Sequence, residues 1–208
     1  GWGAFNTILL SDVDADGLAD LVARRSNGTL WLYRNAYGRA APFTTGSQIT
    51  GSGWSAFTTL VATDVPVRRP ASTGDLVATQ PSGTLSRFAN RVTRPYSRRT
   101  TIGRGWQAYS RLLLGDGNGD GRADLIAVRP DGTLWLYPNS GKPGSLFLGA
   151  DRVEIGRSGW QRLVSLVAAD VDGDKRVDLV ATRSDGSLWL YHNSGSTSAP
   201  YSSPTRIG

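Results

Sequence analysis

The sequence predicts an all-β fold, a β-propeller of four four-stranded blades. Three observations support this prediction. Four similar segments follow one another through the 208 residues, and each holds four short runs rich in β-branched and aromatic residues. No run shows the 3.6-residue apolar spacing that is typical of an amphipathic helix. A propeller blade is a four-stranded sheet of about 40 to 50 residues, which matches the length of one segment.

A Gly-Trp pair stands near the start of each segment and marks the repeat. The four tryptophans are Trp2, Trp54, Trp106 and Trp160, at spacings of 52, 52 and 54 residues. We therefore expect one propeller domain over residues 1–208, with repeats at 1–51, 52–104, 105–157 and 158–208.

Each repeat is expected to form its four strands in the same order. In the first repeat the runs are FNTILLS (5–11), DLVARR (20–25), TLWLYRN (29–35) and SQIT (47–50). Gly, Asn, Asp or Ser residues bound these runs, as turns require. Runs such as ILL and LWLY are apolar on both faces, which is expected where each small sheet packs between two others.

The two ends of the chain match the junctions between repeats. Joining the final TRIG to the initial GWGAF would give TRIGGW, which resembles the internal TTIGRGW and VEIGRSGW. This favours a closed wheel of four blades, because a solenoid would have atypical end repeats. The alternatives are a fragment of a larger wheel and a wheel shared by two chains. The absence of Met predicts that the 208 residues are part of a longer chain.

Repeats 1, 3 and 4 contain an acidic loop of the form D-x-[DN]-x-D-G-x-x-D between their first two strands. Side-chain oxygens at positions 1, 3, 5 and 9 and the carbonyl at position 7 are ligands that Ca²⁺ prefers. We therefore predict three Ca²⁺ sites and none in repeat 2. The ligands are Asp12, Asp14, Asp16, Leu18 and Asp20; Asp116, Asn118, Asp120, Arg122 and Asp124; and Asp170, Asp172, Asp174, Arg176 and Asp178, with Leu18, Arg122 and Arg176 contributing carbonyl oxygens.

An EF-hand is excluded by the end of the loop and by its flanks. The Glu that an EF-hand needs at position 12 is replaced by Ala23, Ala127 and Ala181, and the flanking segments are strands. The remaining alternative is an Asp-rich surface turn without metal. In repeat 4, Lys175 replaces the turn glycine and is expected to strain or reshape the loop.

The loop of repeat 2 departs from this pattern. It runs from Asp64 to Asp75 with three extra residues, and proline and arginine occupy the ligand region. We expect no Ca²⁺ there. Arg68 or Arg69 is expected to replace the cation by pairing with Asp64 or Asp75.

The acidic loops followed by GTLWLY resemble the FG-GAP/VCBS repeats of integrin-alpha-like β-propellers, most closely the secreted actinobacterial type. The resemblance covers all four repeats and is weakest in repeat 2. It implies a propeller fold, calcium at the loop aspartates, secretion, and attachment to an extracellular hydrolase. Two features depart from the family: GW replaces the literal FG and GAP signatures, and integrin-type wheels usually have more than four blades.

The charge of the chain predicts an anionic partner. The net charge is +6, and eleven of the 17 acidic residues lie in the three acidic loops. The 23 basic residues, 20 of them outside these loops, therefore favour wall polymers or acidic glycans over nucleic acid. The alternative is that the arginines reflect only a GC-rich genome. No apolar run approaches the roughly 18 residues of a membrane-spanning helix, and the absence of Cys excludes disulfides and thiolate chemistry.

No residues stand out as a catalytic site, so the chain is predicted not to be an enzyme. His192 is the one histidine, and other repeats have Arg34, Ala89 or Pro138 in its place. A Ser-His-Asp or Cys-His arrangement is therefore not expected. No carboxylate pair is singled out among the acids outside the acidic loops, which are Asp64, Asp75, Asp131, Asp151, Glu154 and Asp185.

Two sets of aromatic residues recur in the repeats. The first set is expected in the core between blades: Trp31, Trp135, Trp189, Tyr33, Tyr137 and Tyr191. In repeat 2, Ser86 and Phe88 replace them, so that blade should pack differently or leave a cleft. The second set is Trp2, Trp54, Trp106 and Trp160, candidate ligand-binding residues that could stack on sugar rings; the alternative is a structural role at a corner.

These observations together predict a non-catalytic, calcium-stabilised, secreted binding module. Its expected ligand is a cell-wall polymer or another anionic glycan, and its expected role is to target an attached hydrolase. Repeated weak sites would raise avidity. The alternative is a protein–protein interaction or adhesion propeller, and a polysaccharide lyase or hydrolase is the third interpretation. No nucleic acid partner is predicted.

Overall fold

The computed structural model describes residues 1–37, 41–62, 74–142, 145–201 and 203–208. It contains four sheets, and each is an antiparallel meander of four strands in sequence order. The predicted all-β propeller fold with four four-stranded blades is confirmed. Within these ranges the helical segments are 3₁₀ turns of three residues, and none could cross a membrane.

Each of the four repeats supplies one sheet. Blade 1 has β1 Phe5–Ser11, β2 Asp20–Arg25, β3 Leu30–Tyr33 and β4 Ser47–Gln48. Blade 2 has β5 Thr59–Ala62, β6 Leu76–Thr79, β7 Leu85–Ala89 and β8 Arg98–Gly103. Blade 3 has β9 Arg111–Gly115, β10 Asp124–Val128, β11 Leu134–Tyr137 and β12 Val153–Gly156. Blade 4 has β13 Ser165–Ala169, β14 Asp178–Thr182, β15 Leu188–Tyr191 and β16 Pro204–Arg206. The 3₁₀ turns are Trp2–Ala4, Trp54–Ala56, Trp106–Ala108, Gly149–Asp151 and Trp160–Arg162.

The turn between the second and third strands of a blade is fixed by a short chain of hydrogen bonds. In blade 3, Asp131 Oδ1 accepts hydrogen bonds from Thr133 N at 2.9 Å and Thr133 Oγ1 at 2.7 Å. The same hydroxyl accepts a hydrogen bond from Trp135 Nε1 at 2.8 Å. Gly132 has φ +92°, a conformation that L side chains rarely adopt. Asp131 thus has a turn-forming role, as its Asp-Gly sequence indicates.

The chain divides into two compact units, Gly1–Gln107 with blades 1 and 2, and Ala108–Gly208 with blades 3 and 4. Each unit has its own core between its two blades. Leu30 and Leu76 are fully buried in the first core, and Leu134 and Leu179 are fully buried in the second. Each such leucine contributes about 1.5–3 kcal/mol through burial.

An arginine joins the two blades of each unit, and it comes from a different strand in each. In unit 1, Arg24 on β2 donates to the carbonyl oxygens of Trp54 at 3.0 Å and Phe57 at 2.7 Å. In unit 2, Arg111 on β9 donates to the carbonyl oxygens of Leu163 and Val164. Leu163 has the position in blade 4 that Phe57 has in blade 2. The backbone carbonyl oxygen at this position of the second blade therefore accepts a hydrogen bond from an arginine. That arginine can lie on either the first or the second strand of the preceding blade.

Candidate metal loops and the surrounding side chains

The first aspartate of each acidic loop organises the loop backbone. Asp12 accepts hydrogen bonds from Ala15 N at 2.8 Å and Gly17 N at 3.0 Å. Asp116 and Asp170 accept equivalent bonds in blades 3 and 4. The three loops therefore share one backbone arrangement.

Lys175 adopts the backbone conformation that its glycine counterparts adopt. Its φ is +73°, against +86° for Gly17 and +79° for Gly121. Lys175 N still donates to Asp170 Oδ2 at 3.0 Å. The loop of blade 4 therefore keeps its shape and is strained at Lys175, since a left-handed conformation costs an L-residue roughly 1–2 kcal/mol. Ala15 has the same kind of strain, with φ +65°.

The last aspartate of each loop is fully buried and accepts backbone hydrogen bonds at both oxygens. Asp20 Oδ2 accepts a bond from Val13 N at 3.0 Å, and its Oδ1 accepts one from Asn35 N at 2.8 Å. The same pairs of bonds are formed by Asp124 with Gly117 and Asn139, and by Asp178 with Val171 and Asn193.

The asparagines in these bonds were not among the residues singled out from the sequence. One asparagine follows the third strand of every repeat: Asn35, Asn90, Asn139 and Asn193. Their recurrence in all four repeats could have indicated a structural role. Asn90 Nδ2 reaches Val13 O of blade 1 at 2.9 Å, and Asn193 Nδ2 reaches Gly117 O of blade 3 at 3.1 Å. Within each unit, the second blade is thus bound to the acidic loop of the first.

Backbone bonds reinforce this contact. Gly74 N donates to Asp12 O at 2.9 Å, and Val177 N donates to Asp116 O at 2.8 Å. The acidic loops of blades 1 and 3 are therefore part of the contact between blades within their units.

The donor atoms of the loops in blades 1 and 4 fit a divalent cation. Ligand oxygens of Asp12, Asp14 and Asp20 lie within 4.8 Å of one another, and so do those of a second group, Asp170, Asp172 and Asp174. Within the described parts of the chain, Asp14 Oδ1 is buried and has no hydrogen-bond donor. A cation beside it would satisfy this oxygen.

Electrostatics around Asp124 support the same fit. Burial is the largest cause that raises the pKa of this carboxyl group, to about 7. The like charges of Asp120 and Asp116 raise it further, whereas hydrogen bonds from the Asn139 and Gly117 amides lower it. A nearby cation would counter the effect of burial and favour the charged form. The predicted carbonyl ligands Leu18, Arg122 and Arg176 remain predictions.

The residue that precedes the asparagine differs between blades and reaches position 3 of two loops. In blade 1, Arg34 Nε lies 3.1 Å from Asp14 Oδ2. In blade 4, His192 Nδ1 lies 3.2 Å from both Asp172 Oδ2 and Asp178 Oδ1, so it is a further candidate ligand. His192 therefore borders the acidic loop of its blade, a location that its place at a strand end did not reveal.

Repeat 2 has a cation of its own at the last aspartate. Asp75 Oδ2 forms an ion pair with Arg87 of β7, and its Oδ1 accepts a hydrogen bond from Asn90 N at 2.8 Å. The expected pairing partners, Arg68 and Arg69, and also Asp64 lie outside the described residues. The partner of Asp75 found in the structure is thus Arg87, which the sequence did not single out.

The Gly-Trp tryptophans differ from the expectation of four exposed platforms. Trp54, Trp106 and Trp160 are buried, whereas Trp2 is 48% exposed. Trp54 packs against Phe88 with ring centroids 4.3 Å apart. These three rings therefore expose too little surface to serve as platforms on which a sugar stacks.

The tryptophans of the LWLY strands are half-buried and are covered by arginines. The Arg25 guanidinium lies 3.9 Å from the Trp31 ring centroid, and that of Arg183 lies 3.8 Å from Trp189. Such cation–π contacts leave the edges of the guanidinium free to bind anions. Trp135 lies under two arginines, Arg129 and Arg152, each 5.0 Å away.

In blade 2 an arginine from another strand takes the space of the missing tryptophan. Arg99 of β8 donates to Ser86 Oγ at 3.0 Å and to Gln80 Oε1 at 2.6 Å. Ser86 stands where the other blades have tryptophan. This blade packs differently, as its sequence predicted.

Comparisons with known proteins agree with a repeat architecture. Residues 116–181 match the family model of the FG-GAP-like repeat. No curated protein matches the chain. Repeats of the matched family are typically non-catalytic and form binding or interaction modules.

The solved structures that are similar to the chain include the following three. The structure of BBS1N in complex with ARL6DN is 10% identical to this chain, with a TM-score of 0.47; the match covers 97% of this chain and 53% of that chain. The Dos1 propeller is 11% identical, with a TM-score of 0.46; the match covers 98% of this chain and 48% of that chain. Human WBSCR16 is 10% identical, with a TM-score of 0.43; the match covers 92% of this chain and 50% of that chain. The chain thus spans about half the length of these structures.

The matched residues begin at the acidic loop of blade 3 and end within β14 of blade 4. They include two of the three acidic loops and the buried aspartates Asp124 and Asp178. The chain is built from four propeller blades and contains an FG-GAP-like repeat, which indicates a binding or interaction module.

Proposed function

We propose that the chain is a secreted, calcium-stabilised module that binds a cell-wall polymer or another anionic glycan and directs an attached hydrolase to it. The observation that supports this most is the separation of charge. Eleven of the 17 acids lie in three loops, whereas 20 of the 23 basic residues lie outside these loops. In the loops of blades 1 and 4, carboxylate oxygens lie close enough together to share a cation.

Calcium has a structural role in this proposal. The loops of blades 1 and 3 bind the next blade through Asp12 O and Asp116 O, so holding the loop carboxylates in place supports the contact between blades. Their carboxylates would be occupied by the metal and by backbone amides, which leaves them unsuited to acid–base catalysis.

Retention on purified polymers tests the glycan proposal. The chain should be retained at low salt on peptidoglycan or on acidic polysaccharides, and less at high salt, because salt screens exposed charges. A neutral polysaccharide is the matched control. Absence of retention on every acidic polymer would contradict the proposal, and release of soluble products from a polyuronide would contradict the non-catalytic role.

A protein partner is the second candidate, favoured by exposed apolar side chains on blade 4. Val167 lies on β13, the first strand of that blade, and is 56% exposed. Val164 directly precedes this strand and is 63% exposed. Exposed apolar residues close together are typical of interaction surfaces. A purified protein partner whose affinity falls in V164T/V167T, with no binding to acidic glycans, would favour this function.

A further inference from the structure

We propose that a groove between blades 3 and 4 of unit 2 is the binding site for carboxylate-bearing oligosaccharides; this inference rests on the proposed function. The groove has a volume of about 860 Å³, which lies within the usual range for ligand sites. We call it the basic groove. Its polar side chains include Glu154, Arg157, Ser158, Arg162, Arg183 and Ser184.

The three arginines of the basic groove are available to a ligand. Across the described residues, none of Arg157, Arg162 and Arg183 has an acidic group within 4.0 Å. Arg157 and Arg162 are exposed. Glu154 is the one acidic residue among the groove residues, so the charge of the groove is positive.

Arg183 is held in position at the groove wall. Its guanidinium lies 3.8 Å from the Trp189 ring centroid, and its Nη2 lies 3.3 Å from the Tyr191 hydroxyl oxygen, to which it donates. Because the stacking and this bond restrict the side chain, less conformational entropy is lost when an anion binds.

Unit 1 provides a comparison within the same chain. The positions equivalent to Arg157, Arg162 and Arg183 are occupied there by Gly51, Ala56 and Gln80, and Gln48 stands in place of Glu154. All four are uncharged, although blades 1 and 2 form the same strands and the same Gly-Trp turn. The fold therefore does not need the charges of Arg157 and Arg162, and their presence between blades 3 and 4 indicates a binding role. Arg183 differs from these two, since Arg25 and Arg129 stack on the equivalent tryptophans of blades 1 and 3.

The groove chemistry favours an acidic sugar over a simple polyanion. Planar guanidinium groups bind carboxylates through paired hydrogen bonds. The hydroxyl groups of Ser158, Ser184 and Ser198 and the Glu154 carboxylate can exchange hydrogen bonds with sugar hydroxyls. A chain of uronic acid residues presents both kinds of group at regular intervals.

Calorimetric titration of the full chain with a short oligogalacturonate tests the inference. The variant R157G/R162A introduces the residues that unit 1 has at these positions, so we expect it to fold, and thermal unfolding checks this. Its affinity should fall about tenfold or more, because two charge-assisted contacts are lost. The control R91A/R98A removes the same charge from exposed positions of blade 2 and should change affinity less than about twofold.

Further probes separate the groove from the wider proposal. The methyl ester of the same oligosaccharide should bind much more weakly, and equal binding would refute carboxylate recognition. Unchanged binding of oligogalacturonate by R157G/R162A would overturn the groove and leave the glycan function standing. No binding of any acidic glycan by the unmodified chain would overturn both the groove and the glycan function.

An acidic peptide tests the class of ligand. Preferential binding of oligoglutamate, lost in R157G/R162A, would show that the groove binds an acidic peptide rather than a saccharide. R183Q, which introduces the unit 1 residue Gln80, should also weaken binding.

Discussion

Arg87 lies against Asp75 in blade 2 and forms an ion pair with the carboxylate that corresponds to the last ligand of the acidic loops. In the other three blades the position of Arg87 is occupied by leucine, namely Leu32, Leu136 and Leu190. A cation within the chain thus lies at the aspartate of the one repeat that lacks the calcium loop pattern.

Replacing Arg87 by leucine tests this relationship. R87L should lower the free energy of unfolding by about 1–3 kcal/mol, because Asp75 would be left buried without its cation. The estimate is below that for a fully buried pair because the Arg87 side chain is 32% exposed. Urea unfolding measures it. The double variant D75N/R87L removes both charges and should recover part of the loss; a wild-type stability for R87L would show that the pair is unimportant.

Exchanging residues at position 6 of the loops should change stability in opposite directions. K175G should raise the free energy of unfolding by about 1 kcal/mol, since glycine adopts φ +73° without the strain of lysine. G121K should lower it by a similar amount. Both are measured by urea unfolding with saturating calcium. K142A, which removes an exposed lysine charge elsewhere, should have little effect; equal stability of all three variants would contradict the strain.

Arg34 should weaken calcium binding in blade 1, because its guanidinium lies beside Asp14 and competes with the metal. R34A introduces the residue that blade 2 has as Ala89. It should raise the affinity of this site about tenfold, the equivalent of about 1.4 kcal/mol. Titration in a D120A/D174A background isolates the blade 1 site. R98A is the control for charge, and a lower affinity for R34A would contradict competition.

Removal of calcium should lower the melting temperature and loosen the contact between blades. A site filled at a hundred times its dissociation constant contributes about 2.7 kcal/mol. Chelation should therefore speed hydrogen exchange at the amides of Gly74 and Val177, which donate to the loops of blades 1 and 3. Calorimetry should show three bound ions. Saturation at four would contradict the absence of a site in repeat 2.

The sequence predicted the fold and the acidic loops because both depend on local patterns that recur along the chain. It did not identify Arg87, because its contact with Asp75 depends on the pairing of β6 with β7 rather than on nearness in sequence. Arg68 and Arg69 are nearer to Asp75 in the sequence than Arg87 is, which is why they were the expected partners. Trp54 illustrates a second limit, since the turn that holds it is local but its burial depends on Phe88 from another strand.

The arginines that join the blades limit how this repeat can be recombined. Arg24 pairs across its hairpin with Thr7, and Arg111 pairs with Val128, so each hairpin supplies one arginine. A hybrid hairpin with the first strand of blade 1 and the second strand of blade 3 would have none. The opposite hybrid would place two guanidinium groups at one set of carbonyl oxygens. Exchange of whole hairpins preserves the joint between blades, whereas exchange of single strands does not. The two-stranded hairpin is therefore the smallest unit in which this architecture can be shuffled.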